Sequence, residues 1–426
     1  MLILYRVLIT LLYPFLLLLI YYRKIIKKED PNRYKEKIFR SHFKILKKEN
    51  TRLLWFHAAS IGEFKSILPI IKELNLKKNN LEFLITTNTV SSGNLAVEEF
   101  KKYKNMNHRF FPLDVGFLIK GFLDTYKPDF LFLVDSEIWP NLILQANKKK
   151  IPLAIINARI TKKSFKRWNY FPSISKKIFS NFDFILTSNL ETKNFLNILG
   201  AKNINFVGNI KFIKDNSKIA EKSNLDLLKS KKFWLAASTH EGEEIFCINV
   251  HKELKRKFKD ILTIIAPRHI HRTYKIKNIC EKNNLSYQIL NNDEPIMNGK
   301  EIILINSFGV LHNFYFQAKS VFIGKSNINK LKNVSGQNPI DAANLGCKIY
   351  HGPYVYNFSD IYDILKINKI SKEINNYEEL AENISRDLND IKKDNDQFKD
   401  VIKNIGDKTL KNTMKILNSY LFYETK

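Results

Sequence analysis

Cysteine is scarce in this 426-residue chain, and the acidic pattern D-x-D occurs only once. Its three cysteines, Cys247, Cys280 and Cys347, lie far apart with no C-x-x-C spacing. This argues against a disulfide framework or a zinc site and favours reduced, structural thiols. The only D-x-D pair, at 394–396, lies in a Lys-rich helical tail with no strand before it. Because divalent cations prefer clustered oxygen ligands, we expect no metal ion in the reaction.

Acidic residues are also too few to balance the basic ones. The chain has 42 Asp and Glu against 70 Lys and Arg, a formal net charge of +28. Such a surface attracts polyanions, among them nucleic acid, acidic lipids and phosphorylated substrates. Lysine, isoleucine and asparagine are abundant throughout, so solvated lysine without a dedicated partner is an equal alternative. With 44% hydrophobic residues the chain can bury two ordinary cores, and two domains are expected.

The N-terminus carries a run without charge from Val7 to Tyr22, followed by basic residues. The run is shorter than the roughly 20 residues of a bilayer-spanning helix, although residues 2–5 extend it. No small-x-small cleavage site follows it, so a cleaved signal peptide is not expected. The tyrosines suit a membrane interface, and the basic residues favour a cytoplasmic body. We predict an inner-membrane anchor helix, with a buried core helix as the alternative.

Beyond residue 31, short strand-like runs alternate with amphipathic helical segments, the pattern of parallel sheets covered by helices. No internal repeat is visible. The pattern predicts an α/β fold with a membrane anchor at 1–30, a Rossmann-like domain at 31–209, a linker at 210–232 and a second Rossmann-like domain with C-terminal helices at 233–426. The predicted strands are Leu53–Ala58, Glu82–Thr87, Phe130–Asp135, Leu153–Asn157, Phe184–Thr187, Phe233–Ala237, Leu262–Ala266, Glu301–Ile305 and Val321–Gly324.

Two carboxylates of the first half follow predicted strands, where ligands of open α/β sheets bind. Glu63 falls in the first turn of the helix that follows the first strand, where the helix dipole favours its ionised form. A carboxylate held there suits a general base for a sugar hydroxyl, although it could simply stabilise the helix start. Asp135 or Glu137 could bind an acceptor hydroxyl in the same way, but strand ends often carry structural carboxylates.

The second half repeats this arrangement with residues suited to a nucleotide. Arg268 and His269 follow one strand, and Gly309 follows another, where backbone amides can approach an anion. Asn338 and Asp341 lie near a further helix start, and the Asp341 carboxylate suits ribose hydroxyls. Each is more often structural when taken alone, but their recurrence after successive strands favours a nucleotide-sugar site.

Taken together, these motifs resemble the Kdo (3-deoxy-D-manno-octulosonic acid) transferase family over residues 33–370. The shared motifs are S-I-G-E at 60–63, S-E-I-W-P-N at 136–141, N-A-R at 157–159, G-N-I-K-F at 208–212, A-A-S-T-H-E-G-E-E at 236–244, P-R-H at 267–269, G-Q-N-P-I-D-A-A at 336–343 and G-P-x-x-x-N-F at 352–358. The resemblance implies a GT-B fold and inverting transfer of Kdo from CMP-Kdo to a lipid A precursor (lipid IVA) at the inner membrane. It implies no cofactor, no metal and no nucleic acid partner.

By the same resemblance, Glu63 is the general base and Glu137 is a second carboxylate needed for activity. Arg268, His269, Gly309, Asn338 and Asp341 are then expected to bind the CMP group. The family usually has Glu where this chain has Asp341. The Asp side chain is one methylene shorter, so the expected ribose contact departs from the family's pattern.

Two other functions are compatible with parts of the sequence. Another GT-B glycosyltransferase, using a UDP-sugar and a lipid acceptor, would share the fold and the membrane segment. A non-catalytic basic membrane protein that binds nucleic acid would explain the charge. It would not explain the carboxylates and glycines that follow the strands.

Overall fold

The computed structural model describes residues 2–44, 48–77, 80–214, 225–292, 294–390 and 395–422. The expected linker at 210–232 lies partly outside these residues, as does Asp394 of the D-x-D pair. The chain divides into two units, one formed by residues 1–215 and 406–426 and the other by residues 216–405.

The first unit is built on a parallel sheet of seven strands in the order β3-β2-β1-β4-β5-β6-β7. Its central strands are buried on both faces, as their continuous apolar sequences predict. The strands are β1 (Arg52–His57), β2 (Leu81–Thr87), β3 (Met106–Phe110), β4 (Phe130–Val134), β5 (Leu153–Ala158), β6 (Phe184–Thr187) and β7 (Ile204–Phe206). The helices are α1 (Leu2–Leu11), α2 (Tyr13–Ile25), α3 (Ile61–Lys77), α4 (Val90–Phe100), α5 (Gly116–Tyr126), α6 (Pro140–Lys148), α7 (Lys162–Asn169), α8 (Pro172–Phe179) and α9 (Leu190–Ile198).

The second unit repeats this design, with a parallel sheet in the order β10-β11-β9-β8-β12-β13-β14. Its strands are β8 (Phe233–Thr239), β9 (Leu262–Pro267), β10 (Tyr287–Leu290), β11 (Ile302–Ile305), β12 (Ser320–Ile323), β13 (Lys348–His351) and β14 (Ser371–Glu373). The helices are α10 (Leu227–Ser230), α11 (Glu243–Lys257), α12 (Thr273–Lys282), α13 (Leu311–Gln317), α14 (Ile340–Asn344), α15 (Ser359–Ile367), α16 (Tyr377–Asn389) and α17 (Asn395–Leu421).

In both sheets the strand order reverses beside the first strand, between β1 and β4 and between β8 and β12. Ligands of doubly wound folds bind in the crevice beyond the carboxyl ends of the strands at such a reversal. The two Rossmann-like halves and the nine predicted strands are confirmed, with strand ends within two residues of the prediction.

The end of α17 packs in the first unit, whereas the sequence placed the whole tail in the second domain. Met414, Leu417 and Leu421 are buried in the core that contains Phe56 and Phe83. Gly406 comes close to the Phe212 carbonyl, where a Cβ would lie 2.4 Å from the oxygen. The apolar face of this helix therefore completes the first core.

The N-terminal segment forms two helices rather than the one expected. The chain bends by 56° between α1 and α2. Pro14 lies at the start of α2, where its ring and missing N–H prevent a continuous helix. Within the described residues, no single helix is long and apolar enough to cross a bilayer, and this pair meets that requirement only when its two helices are taken together.

Candidate active site

Glu63 lies beyond β1 at the strand-order reversal of the first sheet. Its carboxylate accepts hydrogen bonds from the Ala59 amide at 2.7 Å and the Ser60 hydroxyl at 3.0 Å. Burial, together with the neighbouring carboxylates of Asp135 and Glu137, raises the pKa of Glu63 to about 7. A base with a pKa near the working pH is well suited to proton transfer.

Gly62 follows β1 but is not part of a tight turn. It lies inside α3, and its φ is not in the left-handed region. A Cβ added there would meet no atom within 4 Å. The space beside the Gly62 backbone is therefore open.

The loop after β4 carries the other acidic residues of this edge. Asp135 has a left-handed backbone (φ 61°), which is costly for a non-glycine residue and typical of functional turns. Its carboxylate accepts a hydrogen bond from the Lys211 ammonium at 2.5 Å, and its carbonyl accepts one from the Arg159 amide at 3.3 Å. Glu137 accepts a hydrogen bond from the Trp139 indole at 2.8 Å.

The ion pair between Lys211 and Asp135 was not found from the sequence. Lys211 lies in the G-N-I-K-F motif, 76 residues beyond Asp135, so no local pattern connects the two. The shared motif was the only available signal. The pair places one positive charge near the carboxylates of Asp135, Glu137 and Glu63, which the fold brings close together.

In the second unit, Arg268 and Gly309 line one pocket. The pocket lies beyond β8, β9 and β11 and is also lined by Ser238, Pro267, Ser307 and Phe308. Gly309 has a φ of 80°, which any other L-residue would adopt only with strain. The exposed Arg268 guanidinium offers a fork of donors for a phosphate.

The other three residues that were predicted to bind the CMP group do not line this pocket. The His269 ring is exposed and lies near the rings of His240 and His271, at centroid distances of 5.9 and 5.6 Å. Asn338 accepts a hydrogen bond from the Ile340 amide at 3.1 Å. Asp341 is exposed in the first turn of α14, beyond β12.

Glu243 organises the strand-order reversal of the second sheet and was also missed from the sequence. Its buried carboxylate accepts hydrogen bonds from the amides of His240 after β8 and of Lys325, Ser326 and Asn327 after β12, at 2.7 to 3.1 Å. Burial raises its pKa, which these hydrogen bonds oppose. The A-A-S-T-H-E-G-E-E motif marked this residue, but the loop that it holds is 82 residues away.

Within the described ranges, no three His, Cys, Asp or Glu side chains are grouped so that they could hold a metal ion.

Comparison with known proteins identifies the family. Residues 32–214 match the family described as 3-deoxy-D-manno-octulosonic-acid transferase (kdotransferase). The chain is 30% identical over 430 residues to a 3-deoxy-D-manno-octulosonic acid transferase of Rickettsia bellii, covering 99% of each chain. It is 31% identical to the enzyme of the same name from Rickettsia conorii, covering 88% of this chain and 79% of that one.

Solved structures agree with the fold. A glycosyltransferase from Rickettsia africae superposes with a TM-score of 0.55 at 13% identity, covering 88% of this chain and all of that one. The two parallel seven-stranded sheets with interleaved helices have the arrangement of the GT-B glycosyltransferase fold. The chain therefore belongs to the Kdo transferase family, whose members are glycosyltransferases of lipopolysaccharide biosynthesis.

Proposed function

We propose that this Kdo transferase uses CMP-Kdo as donor and a lipid A precursor, lipid IVA, as acceptor, and that it inverts the anomeric centre. The observation that carries the proposal is the position of Glu63 at the strand-order reversal, with a pKa raised to about 7. The Glu63 carboxylate takes the proton of the acceptor hydroxyl, and the hydroxyl oxygen attacks the anomeric carbon of Kdo. The bond from that carbon to the CMP phosphate oxygen breaks, and CMP leaves.

The other charged groups near Glu63 also have roles in this proposal. Glu137, held by Trp139, is available to accept a hydrogen bond from an acceptor hydroxyl. Lys211 neutralises Asp135 and so limits the repulsion that an ionised Glu63 experiences.

The pocket of the second unit is suited to bind a nucleoside monophosphate. Arg268 and the backbone amides near Gly309 are suited to stabilise the departing phosphate. CMP leaves as a monophosphate, with less charge to neutralise than a nucleoside diphosphate. We therefore propose that the chemical step uses no cofactor and no divalent metal.

We further propose that the enzyme works on the cytoplasmic face of the inner membrane. The N-terminal helix pair exposes apolar side chains, among them Ile3, Leu11, Phe15 and Leu18, each more than 60% exposed. A second surface of the same unit is basic and carries the exposed aromatic residues Tyr170 and Phe171. Its exposed basic residues are Lys162, Lys163, Lys166, Arg167, Lys176 and Lys177. Aromatic and basic residues together suit an anionic lipid surface, which also accounts for part of the net charge without nucleic acid.

Donor competition and product stereochemistry test the proposal. The purified protein, given CMP-Kdo and lipid IVA, should be inhibited by CMP far more than by UDP, and NMR of the product should show the inverted anomer. Stronger inhibition by UDP, or a retained anomer, would contradict the proposed donor or the role of Glu63.

A further inference from the structure

The second N-terminal helix is joined to the loop of Glu63 by a series of polar contacts. Arg23 of α2 donates to Glu29 at 2.7 Å, and Glu29 also accepts a hydrogen bond from Lys37. The same Lys37 ammonium donates to the Asn88 carbonyl at 2.8 Å. We call these contacts, with those of Asn88, the lysine relay.

The lysine relay ends on the candidate base itself. The Asn88 amide donates to the Ala59 carbonyl at 3.1 Å. The Ala59 amide in turn donates to the Glu63 carboxylate at 2.7 Å. A series of contacts that begins at α2 therefore reaches Ala59, whose amide holds the Glu63 carboxylate.

The first N-terminal helix reaches the loop of Glu137 by a separate route. Tyr5 of α1 donates its hydroxyl to Asp114 at 2.9 Å. The Asp114 carboxylate also accepts hydrogen bonds from the amides of Asn141 and Leu142, at 3.0 and 2.9 Å, at the start of α6. Trp139, directly before α6, donates to Glu137. We call this route the tyrosine relay.

The charged groups at the centre of the two relays, Glu29, Lys37 and Asp114, are buried, which a simple surface attachment of the helices does not require. The side chains of Glu29 and Lys37 are 2% and 7% exposed, and Asp114 is 6% exposed. Burial lowers the pKa of Lys37 and raises that of Asp114 to about 7. Because a buried charge is costly unless its partners hold a fixed geometry, these contacts fix the helices to the two loops.

We infer that the N-terminal helix pair positions the two candidate catalytic carboxylates, Glu63 through the lysine relay and Glu137 through the tyrosine relay. The inference rests on the proposed function of these carboxylates. Tyr5 and Lys37 are positioning residues, since they act through Asp114, Asn88 and Ala59. The helix pair thus serves catalysis as well as membrane attachment.

The test uses full-length variants with CMP-Kdo and lipid IVA in vesicles containing anionic phospholipid. Tyr5→Phe removes one hydroxyl, and Lys37→Met removes the relay ammonium, while the exposed apolar face of the helices is unchanged. Tyr22→Phe is the matched control, because Tyr22 lies on α2 and is 58% exposed. Lys37→Arg restores a donor to Glu29 and Asn88. For each variant we would measure kcat, the KM for lipid IVA, CMP affinity and sedimentation with vesicles.

Tyr5→Phe and Lys37→Met should lower kcat by on the order of 10- to 100-fold, as expected when reacting groups are misplaced. CMP affinity and vesicle binding should remain those of the wild type. Lys37→Arg should recover most of the kcat lost in Lys37→Met, and Tyr22→Phe should equal the wild type.

Wild-type kcat in Tyr5→Phe and Lys37→Met would overturn the inference and leave the helices as a membrane attachment only. Loss of vesicle binding in step with loss of activity would overturn it as well. The proposed function fails separately, if the wild type transfers no Kdo from CMP-Kdo or if Glu63→Gln retains full activity.

Discussion

His57 Nε2 lies 3.3 Å from Glu137 Oε2 and joins the ends of two neighbouring strands, β1 and β4. The His57 ring is fully buried, and its Nδ1 lies 3.0 Å from the Thr86 hydroxyl. The Nε2 atom has no hydrogen-bond partner, so the two side chains lie close together without a hydrogen bond between them. Because β1 and β4 are paired in parallel, Glu63 and Glu137 follow neighbouring strands at the same edge of the sheet.

Replacing Glu63 by Gln removes the proposed base and keeps the size of the side chain. Transfer should fall by about 10²- to 10⁴-fold, the usual contribution of a general base, and CMP affinity should be unchanged. Glu73→Gln on the same helix is the matched control, since the side chain of Glu73 is 40% exposed and lies in an ion pair with Lys77 on the protein surface. Steady-state kinetics would decide, and wild-type turnover in Glu63→Gln would exclude this residue as the base.

The rate should depend on pH through the ionisation of Glu63. Its pKa is raised to about 7, and a base acts only when deprotonated. The value of kcat/KM should therefore rise with pH through about 7 and level off above it. Asp135→Asn removes a negative charge near Glu63 and the carboxylate that neutralises Lys211. Both changes should lower the pKa of Glu63, so the rising part of the profile should move to lower pH. A profile flat from pH 5 to 8 would contradict the assignment.

Arg268→Ala should weaken CMP binding by on the order of 10- to 100-fold, as expected for loss of a charge-assisted contact. Arg256→Ala is the control, because Arg256 is an exposed arginine on α11 that pairs with Glu253. Calorimetric titration with CMP would measure both. Asp341→Ala should also weaken binding if the shorter carboxylate reaches the ribose, and unchanged affinity would remove Asp341 from the proposed site.

Membrane association should depend on the exposed apolar face of α1 and α2. Replacing Leu11, Phe15 and Leu18 together by Asn should reduce binding to vesicles about tenfold or more, because apolar burial drives such binding. The matched control replaces three exposed apolar residues on other surfaces by Asn: Leu76, Ile198 and Ile367, which are 80%, 63% and 80% exposed. Vesicle sedimentation would compare the two. Equal loss in both, or no loss in the first, would argue against this face as the membrane contact.

Transfer should proceed in excess EDTA at close to its rate in magnesium buffer, because Arg268 and backbone amides are proposed to stabilise the CMP phosphate. The assay needs only the wild-type enzyme and a magnesium add-back. Activity that is lost in EDTA and restored by magnesium would mean that a cation takes part.

The sequence predicted the strands that are buried on both faces and missed most of those that are not. Four of the five missed strands, β3, β7, β10 and β14, lie at sheet edges and alternate buried with partly exposed residues or are very short. The fifth, β13, is a four-residue interior strand. Short edge strands lack the apolar run that marks a central strand.

The same limit applies to the candidate site. Glu63 and Glu137 were found because each follows a central strand, and the motifs shared with the Kdo transferase family gave their expected roles. Asp114 and Lys37 were missed because the residues that connect them to the site, Asn141 and Asn88, lie 27 and 51 residues away, beyond any local pattern. The lysine relay and the tyrosine relay depend on tertiary packing, which only the structure supplies.

The central claim, Kdo transfer from CMP-Kdo to lipid IVA, is tested most directly by mass spectrometry of the lipid product. Purified wild-type protein in lipid vesicles, given both substrates, should yield lipid IVA heavier by one or more Kdo residues, and Glu63→Gln should yield almost none. Unmodified lipid IVA after incubation with wild-type protein that binds CMP, or product formed only from a UDP-sugar, would contradict the claim.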